Sequence, residues 1–557
     1  MKPSISASNT LENKQRGSIR PLKRHFERIK PSIKKGIKRI LIVLLLTSGT
    51  FSACNYLETD PEDFVTPDNF YNTGADMERA VAGVYNRLID QYGRMYSRGL
   101  YSYLVISDEF YYKGISINDQ RVMDFDAGHL DINKFWEVLY SGIDRANQLL
   151  ENIDKPDMDE TRKNEIHGET LFLRAYYYFL LVDNFGGVPL KLSSTKSPTE
   201  PYLPRSSVAE VYAQILKDML QAETLVGDIS KYNYNEKITK TVVQAILAKV
   251  YLTMAGEPLK DVARYQDALT YADKVITSGR HSLNPDYARI FINHCEEKYD
   301  IQECLWEIGM TGNQLGSVQL AGRVGLENGI ECPDDAIGYS NGPLKPTGRL
   351  FKLYGAGDLR RDWAIAPYKY VTTNGVTSKS FYTATQIYER TCGKWRREYE
   401  QLTPKSRGYS PTNFPVMRYA DVLLMKAEAE NEVNGPNAAA YEAINMVRRR
   451  GYGKPVNTPD AVADLAEGLD QASFRDSLQD ERGREFAFEG MRKHDLIRWG
   501  LFISKMQSLA IEATAEAPTN FKYSANAAKN TTPRNVLFPI PSTELTVNHL
   551  VTQNPNW

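Results

Sequence analysis

Residues 419–449 read YADVLLMKAEAENEVNGPNAAAYEAINMVRR. The periodicity predicts two helices, Tyr419 to Val433 and Ala438 to Arg449, separated by Asn434-Gly435-Pro436-Asn437. Alanines fall where the pair would cross. The same arrangement stands upstream, where Thr239 to Ala255 carries Val242, Val243, Ile246, Leu247, Val250, Tyr251 and Met254, and its partner Tyr265 to Ile276 carries Ala268, Ala272 and Val275. Further toward the N-terminus, Ser207 and Glu210 form a capping box for a helix through Leu225. A long helix, Glu165 to Asp183, ends at Phe185-Gly186-Gly187-Val188-Pro189-Leu190, where the glycines supply a left-handed stop and the proline prevents a restart. Phe135 to Leu150 is predicted helical on the face Trp136, Leu139, Tyr140, Ile143, Ala146 and Leu150. Another helix, with Asp76 as its N-cap, places Met77, Ala80, Val81, Val84, Tyr85 and Leu88 on one stripe.

Helix pairs of about 34 residues with alanine at the crossings resemble tetratricopeptide repeats, which bury their faces only by stacking. Three or four such pairs are expected. The fold class is therefore mostly α with minor β: a helical scaffold carrying long loop-rich insertions. Along the chain this divides into residues 76–277, an interruption at 278–415 rich in Gly, Asn, Asp and aromatics, and residues 416–557, the whole of 76–557 forming one compact unit. Tyr101 to Asp131 reads as a second irregular, aromatic-rich stretch. Recognition is expected on these two loop regions, because loops held by a rigid scaffold carry binding.

Ahead of the scaffold lies an address. Lys38 and Arg39 precede the apolar run Ile40 to Leu46, too short to span a bilayer, and Phe51-Ser52-Ala53-Cys54 follows. This pattern resembles a bacterial lipobox, with Phe51 where leucine is usual. It predicts a signal peptide over 1–53, lipid on Cys54 and an acidic tether over 54–75. The 37 residues before the core are long for a charged n-region, and both an extended n-region and an upstream start codon account for them. Residues 1–53 hold 12 Lys+Arg against 2 Asp+Glu, so the remaining 504 residues carry 56 basic and 67 acidic side chains, about −11 in all. That excess disfavours nucleic acid as a partner.

Four further cysteines follow: Cys295, Cys304, Cys332 and Cys392. In an oxidising compartment either one pair among the first three is bridged, or these are buried free thiols. Metal ligation by His294, Cys295 and Cys304 is disfavoured, because no second closely spaced ligand pair exists; no metal and no cofactor is expected. Glu481 with Glu485, and Glu485 with Glu489, have the spacing of paired glycosidase carboxylates. Their arginine-rich surroundings would keep them ionised, whereas a general acid needs its pKa raised, so structural ion pairs are expected. With no nucleophile elbow, phosphate loop or zinc-protease motif, a non-catalytic protein is predicted.

Several segments in order resemble the SusD/RagB family of outer-membrane glycan-binding lipoproteins: Phe70-Tyr71 with Ala80 to Leu88, Trp136 to Leu150, Leu173 to Phe179 with Phe185 to Pro189, Pro204 to Glu223, Arg418 to Glu428, and ERGREFAFEGMRKHDLIRW at 481–499. Phe538-Pro539-Ile540-Pro541 and Asn554-Pro555-Asn556-Trp557 complete the series. The resemblance implies a helical fold on a tetratricopeptide scaffold, tethered by lipid at the outer membrane. It implies capture of oligosaccharide for a SusC-like TonB-dependent transporter, without catalysis. A scaffold that caps the transporter and recognises peptide or another non-glycan nutrient is the alternative. Sugars stack on aromatic rings and bond to amides and carboxylates, so the candidate ligand residues are Tyr111 and Tyr112 beside Asn118 and Asp119, Tyr339 beside Asn341, and Trp395. Trp306 reads as a buried strand, Trp136 as helix core, and Arg361-Asp362 as a structural pair.

Overall fold

The computed structural model describes residues 70–557 except 91, 93, 115–116, 198–201 and 316–319. The signal, Cys54 and residues 55–69 of the expected tether lie outside the described residues; its end is described, and Gly74 and Ala75, expected in the tether, already form the start of the first helix because the Thr73 capping box begins it there. Asp68–Trp557 is one compact unit.

The longer helices are α1 (Gly74–Tyr85), α2 (Leu130–Glu151), α3 (Glu160–Phe185), α4 (Val208–Leu225), α5 (Lys240–Ala255), α6 (Arg264–Thr277), α7 (Tyr287–Cys295), α8 (Tyr419–Asn434), α9 (Ala438–Gly451), α10 (Gln471–Glu485), α11 (Arg492–Arg498) and α12 (Phe502–Glu516). Among the described residues six short strands accompany them: β1 (Phe110–Tyr112), β2 (Cys304–Ile308), β3 (Leu344–Pro346), β4 (Tyr368–Thr373), β5 (Val376–Phe381) and β6 (Phe414–Arg418). Neighbouring helices pack as α2 on α3, α3 on α4, α5 on α6 and α8 on α9, while α6 also packs on α8. The helical array thus closes across the long interruption.

Local chemistry sets the helix ends. The Ser207–Glu210 capping box is present at α4, and Gly186, at φ +73°, ends α3 in a conformation open to glycine. At α1 the N-cap is Thr73 rather than Asp76. Asp76 is the third helical residue and returns a bond to the Thr73 backbone at 3.0 Å, while its own N–H donates to Thr73 Oγ1 at 3.2 Å. That reciprocal box satisfies two orphan donors and starts the helix earlier. Helix α3 is buried on nearly every side, because α1, α2 and α4 all pack on it. Arg174 within it forms a bidentate bond to Asp218 of α4, at 2.8 and 2.9 Å, and donates to Asn147 of α2 at 2.9 Å.

The interruption is clasped at its base. β2 and β6 pair antiparallel, from Cys304 opposite Arg418 to Ile308 opposite Phe414, and β6 runs straight into α8. Trp306 lies buried on β2 and Trp136 on α2. Between these strands the chain is less irregular than its composition suggests, since it holds β3 and the β4–β5 hairpin. One large core runs from Tyr71 to Val551, with a satellite around Tyr111, Tyr388 and Ala517.

Candidate functional site

β1 belongs to the first loop region and β3 to the interruption, and they pair antiparallel: Phe110 opposite Pro346, Tyr111 opposite Lys345, Tyr112 opposite Leu344. The ladder continues one step as the Lys113 N–H donates to Pro343 O at 2.8 Å. Lys113 Nζ then reaches Glu331 Oε1 at 3.1 Å and the Asn341 carbonyl at 3.3 Å. Two stretches more than 200 residues apart thereby share one face.

Asn341 is exposed there, Tyr339 is half-buried with the Arg407 guanidinium 3.9 Å from its ring centroid, and Asn118 is exposed in the loop that follows β1. Arg407 is itself exposed and tied to Asp335 at 2.8 Å. Asn118 sits at φ +50°, its N–H held by Asp124 Oδ2 at 3.0 Å. Asp119 is committed to Arg121 through Oδ1 at 2.9 Å and Oδ2 at 2.5 Å, which lowers its pKa against the upward pull of burial. The Arg121 guanidinium in turn lies over Tyr103 and Tyr112, at 5.4 and 5.3 Å.

Three expected stacking rings are interior. Tyr111 is 3 % exposed, its hydroxyl donating to Tyr388 O at 2.7 Å and its ring packed on Tyr388 and Tyr523. Tyr112 is 6 % exposed beneath Arg121, and Trp395 is fully buried against Phe291 and Phe414. β-branched and aromatic residues beside strand partners bury when both faces are covered, and the sequence gives no sign of the covering layer. Lys113 and Glu331 were not expected here, because they obey no periodicity and meet through the β1–β3 pairing; Arg121 and Arg407 were not expected either, and each joins its own loop, Arg121 at Asp119 and Arg407 at Tyr339.

The paired carboxylates lie elsewhere, in a buried ion-pair network. Glu485 bonds Arg418 at 2.8 Å, Arg450 at 2.6 Å and Arg360 at 3.0 Å; Glu481 bonds Arg360 at 2.6 Å; Glu489 bonds Lys394 at 2.6 Å. Burial alone would raise these acids, but the guanidinium groups outweigh it, holding Glu485 far below the carboxylate range and Glu481 at about 2. None is a proton donor near neutral pH. Arg361–Asp362 is the expected pair at 3.0 Å, though exposed; its neighbour Arg360 is the buried residue that enters the network. Trp499 donates its indole N–H to Glu428 at 2.8 Å.

All four described cysteines are free and buried, so of the two alternatives the free thiols hold, and no bridge joins Cys295, Cys304 or Cys332. A chain with so large a core does not depend on a cross-link. His294, Cys304 and Glu307 do converge, all buried, with ligand atoms close enough to share an ion. The tautomer opposes it. The Trp395 indole N–H donates to His294 Nδ1 at 3.2 Å, so Nε2 carries the proton and faces Glu307 Oε1 and Cys304 Sγ at 3.4 Å each. A protonated ring nitrogen has no lone pair for a metal.

The fold is thus a helical array that carries a loop-built face and encloses a buried ion-pair core. Residues 357–557 match the model described as SusD family, and residues 55–252 match one described as starch-binding associating with outer membrane. A crystal structure of a SusD homolog from Bacteroides thetaiotaomicron superposes with a TM-score of 0.81 at 30 % identity, covering 88 % of this chain and 98 % of that one. A SusD-like protein of Formosa agariphila is 26 % identical over 93 % of this chain and 98 % of its own. The protein belongs to the SusD/RagB family. A structure described as a laminarin binding SusD-like protein shares the fold at TM-score 0.67 and 22 % identity, covering 87 % of this chain and all of that one. Among the described residues no helix is long and apolar enough to cross a membrane.

Proposed function

We propose that this chain is a cell-surface lipoprotein, anchored through Cys54, that binds oligosaccharide or polysaccharide without cleaving it and delivers it to a TonB-dependent outer-membrane transporter. The observation that supports this reading is the β1–β3 pairing, which brings Lys113 of the first loop region against Glu331 and the Asn341 carbonyl of the interruption. A partly exposed phenol ring takes the apolar C–H face of a sugar, and amides, ammonium and guanidinium groups take its hydroxyls. Each such bond exchanges for water at a net gain of only about 1 kcal/mol, which suits a carrier that must release its cargo. Relatives described as laminarin binding and as surface glycan-binding proteins support the ligand class. The network around Glu485 supports binding without hydrolysis.

The test is a glycan array followed by affinity electrophoresis on each polysaccharide that scores, with Tyr339→Ala/Asn341→Ala as the variant. Retardation of the wild type and its weakening in the variant are expected. No binder on a full array would sink the glycan reading. Recovery of the transporter by pull-down, with no carbohydrate shifting the melting temperature, would favour the scaffold reading.

A further inference from the structure

The geometry points to a second carbohydrate-contact site along α1, remote in sequence from the loop face; it rests on the glycan reading above and adds a place where the same neutral polymer is held. A cleft of about 550 Å³ follows the C-terminal half of α1. Val81, Leu88 and Ile308 give it an apolar floor, and Asn86, Glu236 and Lys237 line its polar side.

Tyr234 lines this cleft, and its ring contacts those of Tyr232 and Tyr299 beside it. Ring centroids lie 5.5 Å apart for Tyr232 and Tyr234 and 6.2 Å for Tyr234 and Tyr299, with the ring planes inclined by 57° and 58°. None is buried, and Tyr299 is 39 % exposed. Tyr232 and Tyr234 come from the segment leading into α5, whereas Tyr299 comes from the loop before β2, so two separate parts of the fold supply these rings. The Tyr299 hydroxyl donates to Glu236 Oε1 and fixes that ring. On the other side a Cβ at residue 309 would fall 1.9 Å from Glu236 Oε1, so the glycine lets the carboxylate lie along the cleft wall. Lys237 Nζ reaches Glu169 only at 3.3 and 3.4 Å, leaving donor capacity toward the cleft.

Tilted phenol rings, a fixed carboxylate and an ammonium group suit a ligand with apolar faces and hydroxyl edges, which is the chemistry of a pyranose chain. Charge opposes the chain's own tether as the occupant, since Glu58, Asp60, Glu62 and Asp63 would be brought beside Glu78 and Glu236.

Affinity electrophoresis and calorimetry of the mature chain, on laminarin, soluble starch and every polysaccharide the array returns, compare Tyr234→Ala/Tyr299→Ala, Tyr234→Phe/Tyr299→Phe and Tyr339→Ala/Asn341→Ala. Loss of two stacking rings is expected to weaken polymer binding about three- to tenfold, with the melting temperature kept. The phenylalanine pair keeps the ring faces and should bind nearly as the wild type does. Unchanged affinity in the alanine pair, or equal losses in the alanine and phenylalanine pairs, overturns the second site while leaving the loop-face reading intact if Tyr339→Ala/Asn341→Ala still weakens binding. If no polysaccharide binds the wild type, both readings fall.

Discussion

Arg418 clasps Glu489 in a bidentate pair, Nε to Oε2 at 2.9 Å and Nη2 to Oε1 at 2.7 Å, with neither side chain exposed. Arg418 closes β6 and precedes α8, while Glu489 follows α10, so this contact ties the base of the interruption to the C-terminal helices. Glu303, just before β2, joins the same guanidinium at 3.0 Å. Removing one member of such a cluster strands its partner's charge away from water. Arg418→Met is therefore expected to cost about 3–5 kcal/mol, read from the denaturant midpoint. Should that variant fail to fold, Glu489→Gln offers a milder probe in the same direction; a midpoint unchanged in both would show the network contributes nothing.

The same network fixes the acid limb of stability. Glu481 has a folded pKa of about 2 against an ordinary 4.5, and Glu485 and Asp495 are also depressed by their arginines. A depressed carboxylate stabilises the fold fully above its unfolded pKa and loses that contribution as pH falls through the folded value. The melting temperature should thus be insensitive to these acids at pH 6–7 and fall between about pH 4.5 and 2. Glu481→Gln should flatten that fall, which a series of melts would reveal.

Tyr111 and Tyr339 separate packing from recognition. Tyr111→Ala opens a cavity in the satellite core and should cost about 3–5 kcal/mol, in line with large aromatic truncations. Tyr111→Phe loses only the bond to Tyr388 O, about 0.5–1.5 kcal/mol, and should bind polysaccharide as the wild type does. Tyr339→Ala should do the reverse, weakening retention with little change in the melt.

Thiol chemistry checks the interior. Burial raises the thiols of Cys295, Cys304 and Cys392, with Cys392 pushed up to about 12, so a thiol reagent should react with them only after denaturation. Reductant should leave the melting temperature unchanged. Zinc at a small molar excess should leave it unchanged too, given the His294 tautomer set by Trp395; a zinc-dependent rise would refute that assignment.

Cys54→Ala is expected to release the protein from the membrane fraction without altering its melt, because residues 68–557 form their own compact unit. Mass spectrometry of the mature N-terminus tests whether Phe51 permits cleavage before Cys54.

The helices were legible because their causes are local: apolar spacing, the Ser207–Glu210 box and the Gly186 stop each act within a few residues. Even the slip at α1 was local, a choice between Thr73 and Asp76 within one capping box. Ion pairing around Glu481, Glu485 and Glu489 was legible as well, since opposite charges crowded one segment; Arg360 and Lys394 were not, because they reach the network from the interruption. The candidate site was legible only in its region. Spacing cannot say that β1 pairs with β3, and that pairing buries Tyr111 and Tyr112 while leaving Asn118, Tyr339 and Asn341 at the surface. Sequence alone determined the helical scaffold and the family, through short-range periodicity and ordered motifs. Which aromatic rings meet a ligand and which fill the core was decided by contacts between residues hundreds of positions apart, where covering layers rather than residue type set exposure.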